Sequence, residues 1–204
     1  MKKLIFSLLA MALLSACQSN PKKIIVMSKG KATIDKDAKT ISVPASGSGH
    51  EEQTIEFNSA DKISLQVNST AGNTTVEIPD NGYYILNAKT DTIVGGYVYY
   101  GAPEDRSTVV SQDEVKKRID SIQQLITNQN TGITHKTFFI LPNTAVKITD
   151  NVDATIIGPY HQITSIQQEG DKKPEVYRFY PIKDARETLD KLKSFTVAPP
   201  SPNQ

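Results

Sequence analysis

Beyond residue 23, hydrophobic positions recur mostly with a period of two. Ile55 and Phe57 alternate with polar neighbours, as do Ile63, Leu65 and Val67. That is the pattern of a strand with one wet and one buried face. Ile24-Ile25-Val26, Ala32-Thr33-Ile34-Asp35 and Thr40-Ile41-Ser42-Val43 are short β-branched runs, punctuated at Gly30 and over residues 35–39. Residues 45–52 (ASGSGHEE) read as a flexible polar loop. Pro79-Asp80-Asn81-Gly82 predicts a hairpin between Thr75–Ile78 and Tyr83–Leu86, because Pro fixes φ while Asn and Gly tolerate the positive φ of a tight reversal. Lys89-Thr90-Asp91 predicts a second reversal into the run ending at Tyr100.

The period changes to a helical one after residue 110. Ser111 and Glu114 form a capping box, with Val110 and Val115 placed for a hydrophobic staple. Val115, Ile119, Ile122, Leu125 and Ile126 share one stripe, and Asn128, Asn130 and Gly132 supply the stop. Such a stripe serves as ordinary core or as a partner-binding face. Strand patterns return at Lys136–Leu141, Ala145–Ile148, Ala154–Ile157 and Glu175–Tyr180. A closing helix follows over about residues 183–194, with Ala185, Leu189 and Leu192 inward. The expected fold is therefore α+β and β-rich. An antiparallel, sandwich-like module spans residues 24–104, a linker and amphipathic helix 105–132, and a small α+β module with a C-terminal helix 133–195. A proline-rich tail, expected to be disordered, covers 196–204.

The first residues carry a different pattern. Met1-Lys2-Lys3 precedes an apolar run from Leu4 to Leu14, which ends at Ser15-Ala16-Cys17. A cationic start, a short apolar stretch and small residues mark a secretory signal, and the stretch falls short of the roughly 20 residues of a spanning helix. Leu14-Ser15-Ala16-Cys17 resembles the lipobox of bacterial lipoproteins. The resemblance implies cleavage between Ala16 and Cys17, so that residues 1–16 are the signal peptide and Cys17 carries the lipid. Several acyl chains then hold the protein to a membrane, since each buried methylene contributes about 0.8 kcal/mol. Gln18 and Ser19 lack the aspartate that retains enteric lipoproteins at the inner membrane, which resembles an outer-membrane destination. No acidic residues follow the cysteine as an export mark, which favours the periplasmic side over the cell surface. Residues 17–23 read as a short tether, with Lys22 and Lys23 either near lipid headgroups or simply opening a strand.

Composition narrows the chemistry. The 204 residues hold 23 basic and 22 acidic side chains, a formal +1; loss of Lys2 and Lys3 turns this into a formal −1. Neither value suits a nucleic-acid binder. A single cysteine excludes an intramolecular disulfide and any multi-cysteine zinc site. His50, His135 and His161 lack the spacing of a helical zinc motif and read as solvated loop or strand-end residues. Residues 46–50 match neither a nucleophile elbow nor a phosphate-binding loop. Asp150, Asn151 and Asp153 read as an Asp/Asn turn rather than a calcium loop, and Asp35 with Asp37 likewise. The glycine-led run to Tyr100 sets Tyr97 and Tyr99 on one face, either for strand packing or for stacking against a sugar or a protein. No cofactor or metal is expected. The resulting expectation is a lipid-anchored accessory or binding module of the cell envelope, attached to the membrane through its acyl chains, with an envelope protein or glycan as partner. Two alternatives stand beside it: a hydrolase with scattered active residues, and a carbohydrate-binding surface lipoprotein.

Overall fold

The computed structural model describes residues 21–98, 111–159 and 174–196. Eight strands come first: β1 (Pro21–Ser28), β2 (Thr33–Asp35), β3 (Thr40–Ser42), β4 (Glu51–Asn58), β5 (Ile63–Ser69), β6 (Gly72–Ile78), β7 (Gly82–Asn87) and β8 (Ile93–Tyr97). Helix α1 (Gln112–Ile126) follows, then β9 (Thr137–Ile140), β10 (Thr144–Thr149), β11 (Thr155–Ile157), β12 (Val176–Pro181) and helix α2 (Ile182–Thr196). The fold is α+β and β-rich, built on three open four-stranded sheets. Their strand orders are β10-β7-β1-β4, β2-β3-β5-β6 and β11-β12-β8-β9.

The first of these sheets is the middle layer. In β1, Ile24 and Val26 point to one core cluster with Tyr84 and Leu86 of β7, while Ile25 and Met27 point to a second with Tyr83 and Ile85. A run of consecutive apolar residues is what a strand covered on both faces requires. β5 of the second sheet alternates Ile63, Leu65 and Val67 inward with polar residues outward, and closes the first cluster. Phe138, Ile140, Tyr177 and Phe179 of the third sheet close the second. The two helices pack on each other and on β8, β9 and β12. Tyr180, on the side of β12 opposite Tyr177 and Phe179, meets Ile122 and Leu125 of α1 and Ala185 of α2 at a shared groove. The layers thus run sheet, sheet, sheet, helices.

The sheets are mixed, which corrects the antiparallel expectation: β1 with β7, β3 with β5 and β11 with β12 run parallel. Neither expected hairpin forms. β6 pairs with β5, through a turn at Thr70–Ala71, while β7 pairs with β1 and β10, so residues 79–81 cross from one sheet to another. Lys89-Thr90-Asp91 likewise carries the chain from the middle sheet into the third. Turn chemistry specifies a reversal of direction; it does not choose the strand that the returning chain pairs with. β7, buried along its whole length, takes an interior place beside β1. Strands from both sides of α1 share two sheets, since β7 pairs with β10, and β8 with β9 and β12. The boundary expected at 105–132 thus falls between strands that hydrogen-bond to one another.

The capping box of α1 forms as expected. The Glu114 N–H donates to Ser111 Oγ at 3.2 Å, and the Ser111 N–H donates to the Glu114 carboxylate at 2.8 Å. The Ser111 N–H and the Ser111 hydroxyl, which donates to the same carboxylate at 3.0 Å, hold the exposed Glu114 carboxyl below its ordinary range. Val110, the outer half of the expected staple, lies outside the described residues. The first strand starts at Pro21, ahead of the expected position, and it takes both tether lysines into the fold. Lys22 is 1% exposed and donates to the Ser59 carbonyl at 2.9 Å. Lys23 donates to the Val152 carbonyl at 2.9 Å and lies over the Tyr83 ring. Both ammonium groups are held by the protein rather than turned towards a lipid surface.

Candidate functional site

The described residues gather titratable side chains most densely where β1 and β7 end together. Their parallel pairing brings Ser28 and Asn87 to the same edge of the middle sheet, and β4 starts there from the opposite direction. Three connections meet at this edge: residues 29–32 after β1, 43–50 before β4 and 88–92 after β7.

Residues 45–50 are pinned, not loose. The Gly47 N–H donates to the Pro44 carbonyl at 3.1 Å, and the Gly30 and Gly47 backbones touch. A Cβ on Gly47 would collide with the Lys29 carbonyl, and one on Gly30 would sit 2.6 Å from Gly47 Cα. Ser28 Oγ donates to the Gly30 carbonyl at 2.8 Å and fixes the other side of this contact. Glycine is needed at both positions for close approach, and at Gly30 also for φ +77°.

His50 sits at the head of β4, and Glu52 follows two residues later on the same face of the strand. His50 Nε2 and Glu52 Oε1 are 2.6 Å apart, with the two side chains only 6% and 15% exposed. This corrects the reading of His50 as a solvated residue. Gly158, just past β11, packs on the Glu52 carboxylate so closely that any side chain there would collide with it. Glu51, the neighbouring carboxylate, is exposed.

Asn87 shapes the third connection. Its side chain, with no exposed surface, donates to the Asp91 carbonyl at 2.8 Å and to the Ile140 carbonyl at 3.1 Å, and it accepts from the Lys89 N–H at 3.1 Å. The Asn87 carbonyl accepts from the Asn143 N–H at 2.7 Å. Lys89 is thereby set into the interior, 8% exposed. Burial lowers its pKa, against the opposing pull of Asp91, Asp184 and Glu52. Asp184 lies in the first turn of α2, which is tied to this connection by the Ile182 N–H donating to the Thr92 carbonyl at 3.0 Å. Lys29, Gly49, His50, Lys89, Thr90 and Asp91 line a cavity of about 460 Å³, within the range of small-molecule sites.

The other candidates are placed elsewhere. Tyr97 packs edge-on against Tyr177, with centroids 5.7 Å apart, and Lys136 lies over its ring at 4.6 Å. Tyr99, Ala16, Cys17 and His161 lie outside the described residues. His135 lines a separate hollow with Gln124 and Thr137. Asp150 pairs with Lys147 at 2.6 Å, and Asn151 Oδ1 accepts from the Asp153 N–H at 3.0 Å, the geometry of an Asx turn. Asp35 Oδ1 accepts from the Asp37 and Ala38 N–H groups in the same manner.

A second polar cluster surrounds Glu175, which accepts from Thr149 Oγ1, Tyr177 OH and Asn151 Nδ2 at 2.8, 2.6 and 2.9 Å. Burial pushes the Glu175 carboxyl up, but these three hydrogen bonds outweigh it and its pKa is lowered. The Tyr177 phenol is raised, first by burial and then by its bond to Glu175. This cluster ties β10 to β12 at the opposite end of β7 from the cavity.

The cavity therefore joins a carboxylate-oriented imidazole, two ammonium groups, one hydroxyl and one exposed carboxylate. The set can hold a polar solute through several directed bonds, and it fixes one ring nitrogen of His50 as acid–base chemistry would require. Comparison with known proteins found no matching family model, curated protein or solved structure.

Proposed function

We propose that the chain is a lipid-anchored lipoprotein of the cell envelope, fixed near the outer membrane on its periplasmic side, and that it acts as a non-enzymatic accessory or binding module. The observation that carries this reading lies in the sequence: a cationic start and a short apolar run ending in Leu14-Ser15-Ala16-Cys17. The placement of β1 is compatible with it. The strand starts at Pro21, so residues 18–20 alone separate it from Cys17, a reach of at most about 14 Å between α-carbons. The eight residues of β1 then lead about 23 Å from the tether to the cavity edge. A membrane-bound chain built in this way holds its polar cavity away from the bilayer and open to soluble partners.

Two measurements test the reading. Metabolic labelling with a fatty acid should mark the wild-type protein and should leave Cys17→Ala unmarked and released from membranes. Mild crosslinking of the labelled protein in intact envelopes should then recover one defined envelope component, and recovery should fall with Cys17→Ala. Labelling that persists in Cys17→Ala overturns the anchor, and envelope-substrate turnover without any crosslinked component overturns the binding module.

The His50–Glu52 pair favours a second reading, an envelope hydrolase with His50 as general base oriented by Glu52. It requires turnover of an envelope substrate that His50→Gln abolishes without unfolding the protein.

A further inference from the structure

The binding-module reading does not say what the cavity takes, and its lining chemistry points to one class. We propose that the cavity at the ends of β1 and β7 is a binding site for a small soluble anion, a phosphate or carboxylate group, received by Lys29, Lys89, His50 and Thr90. The inference rests on the binding-module reading and assigns its ligand.

Three observations support it. The lining side chains bring two ammonium groups, an imidazole and a hydroxyl, against the single carboxylate of Asp91 among the described lining residues. His50, whose Nε2 lies 2.6 Å from Glu52 Oε1, is held at the cavity wall in a fixed ring orientation. Lys89 is buried, and the desolvation of its ammonium exceeds the combined attraction of Asp91, Asp184 and Glu52. Charge-assisted hydrogen bonds from ammonium groups to a bound anion are the strong ones in such a setting. The exposed Lys29 is free of any packing role in the core and can close over the ligand.

The position of the site selects the source of the anion. Phosphate is carried both by free solutes and by lipid headgroups. The cavity lies about 23 Å along β1 from Pro21, the strand end nearer Cys17, and on the proposed anchoring this separation favours a free solute over a headgroup.

The test is calorimetric titration of the full-length lipidated protein in uncharged detergent at low salt, with inorganic phosphate and acetate as probes and glucose as the neutral control. Phosphate should bind, glucose should not, and affinity should fall steeply as salt is raised. Lys29→Gln, at an exposed position, should weaken phosphate binding about tenfold with an unchanged circular dichroism spectrum. Thr90→Val should weaken it about threefold. Lys89→Met should abolish binding; if that variant does not fold, Lys29→Gln and Thr90→Val decide the matter. Equal binding of glucose and phosphate, or phosphate affinity untouched by Lys29→Gln, overturns the anion site. As a separate arm, Cys17→Ala protein of mature length (residues 17–204, without the apolar signal segment) is sedimented with phosphatidylglycerol vesicles. No pelleting is expected, and Lys29-dependent pelleting overturns the soluble-ligand assignment in favour of a headgroup. Loss of the anion site alone leaves fatty-acid labelling and the crosslinked component intact, so the two readings fail separately.

Discussion

The Asn87 amide has no exposed surface and makes three bonds to two chain segments, to the Lys89 N–H and Asp91 carbonyl of the connection after β7 and to the Ile140 carbonyl of β9. Asn87→Ala strands these buried backbone groups, and the expected cost is about 2–4 kcal/mol. Urea unfolding should show the midpoint falling at constant slope. Tyr83 gives a second residue-scale expectation. Burial, followed by the charges of Glu52 and Glu56, pushes its phenol up to about 12 from the ordinary 10.0. Between these values the unfolded chain loses the proton while the folded one keeps it. The contribution is therefore fully present below pH 10 and is lost as pH rises through the folded value. Tyr83→Phe should remove up to about 2 kcal/mol of the alkaline loss, read from unfolding midpoints measured across that range. The chemistry at this scale was only half legible. His50 and Glu52 stand two apart at the head of a strand, so their shared face follows from period two alone. Their burial does not, because Gly158 covers Glu52 from a distant part of the chain. Lys89 reads locally as any turn lysine, since its interior place depends on tertiary surroundings that include Asn87 and, through Asp184, α2.

Among elements, α1 was the most fully legible, because its signals are local: Ser111, Glu114 and the apolar stripe all lie within one window. Ser111→Ala should cost the helix about 1 kcal/mol. The change should appear as faster amide exchange at Glu114 and Val115 with a small shift in overall melting, since no residue of α1 is fully buried. The strands were legible one by one. The alternation in β5 gave its single covered face, whereas the apolar run in β1 reads only as a β-branched strand and not as one covered on both faces. Their partners were not legible. Pro79-Asp80-Asn81-Gly82 turns the chain, yet β6 returns to β5 and β7 goes to β1, and this choice is made by which strand can be buried on both faces. The loop at 45–50 was misread for a related reason. Its glycines suggest freedom when seen locally, whereas Gly47 is glycine because Lys29 and Gly30 lie against it.

For the whole molecule, the shared sheets predict a single cooperative unit. Far-UV circular dichroism and tyrosine fluorescence should trace coincident thermal transitions. Residues 21–98 expressed alone should not fold, because β7 and β8 would lose β10, β9 and β12 and expose the aromatic cluster that Phe138, Tyr177 and Phe179 complete. Two separated transitions, or a folded 21–98 fragment, would break this view. On the proposed reading, load between a lipid on Cys17 and the folded chain enters at Pro21. That point is the N-terminal end of one of the two internal strands of the middle sheet. β1 is flanked by β7 and β4 along its length, so a pull along its axis strains both ladders in shear, many hydrogen bonds together, instead of peeling them one after another. The same strand that forms the centre of the core thereby makes the anchorage resistant to mechanical force.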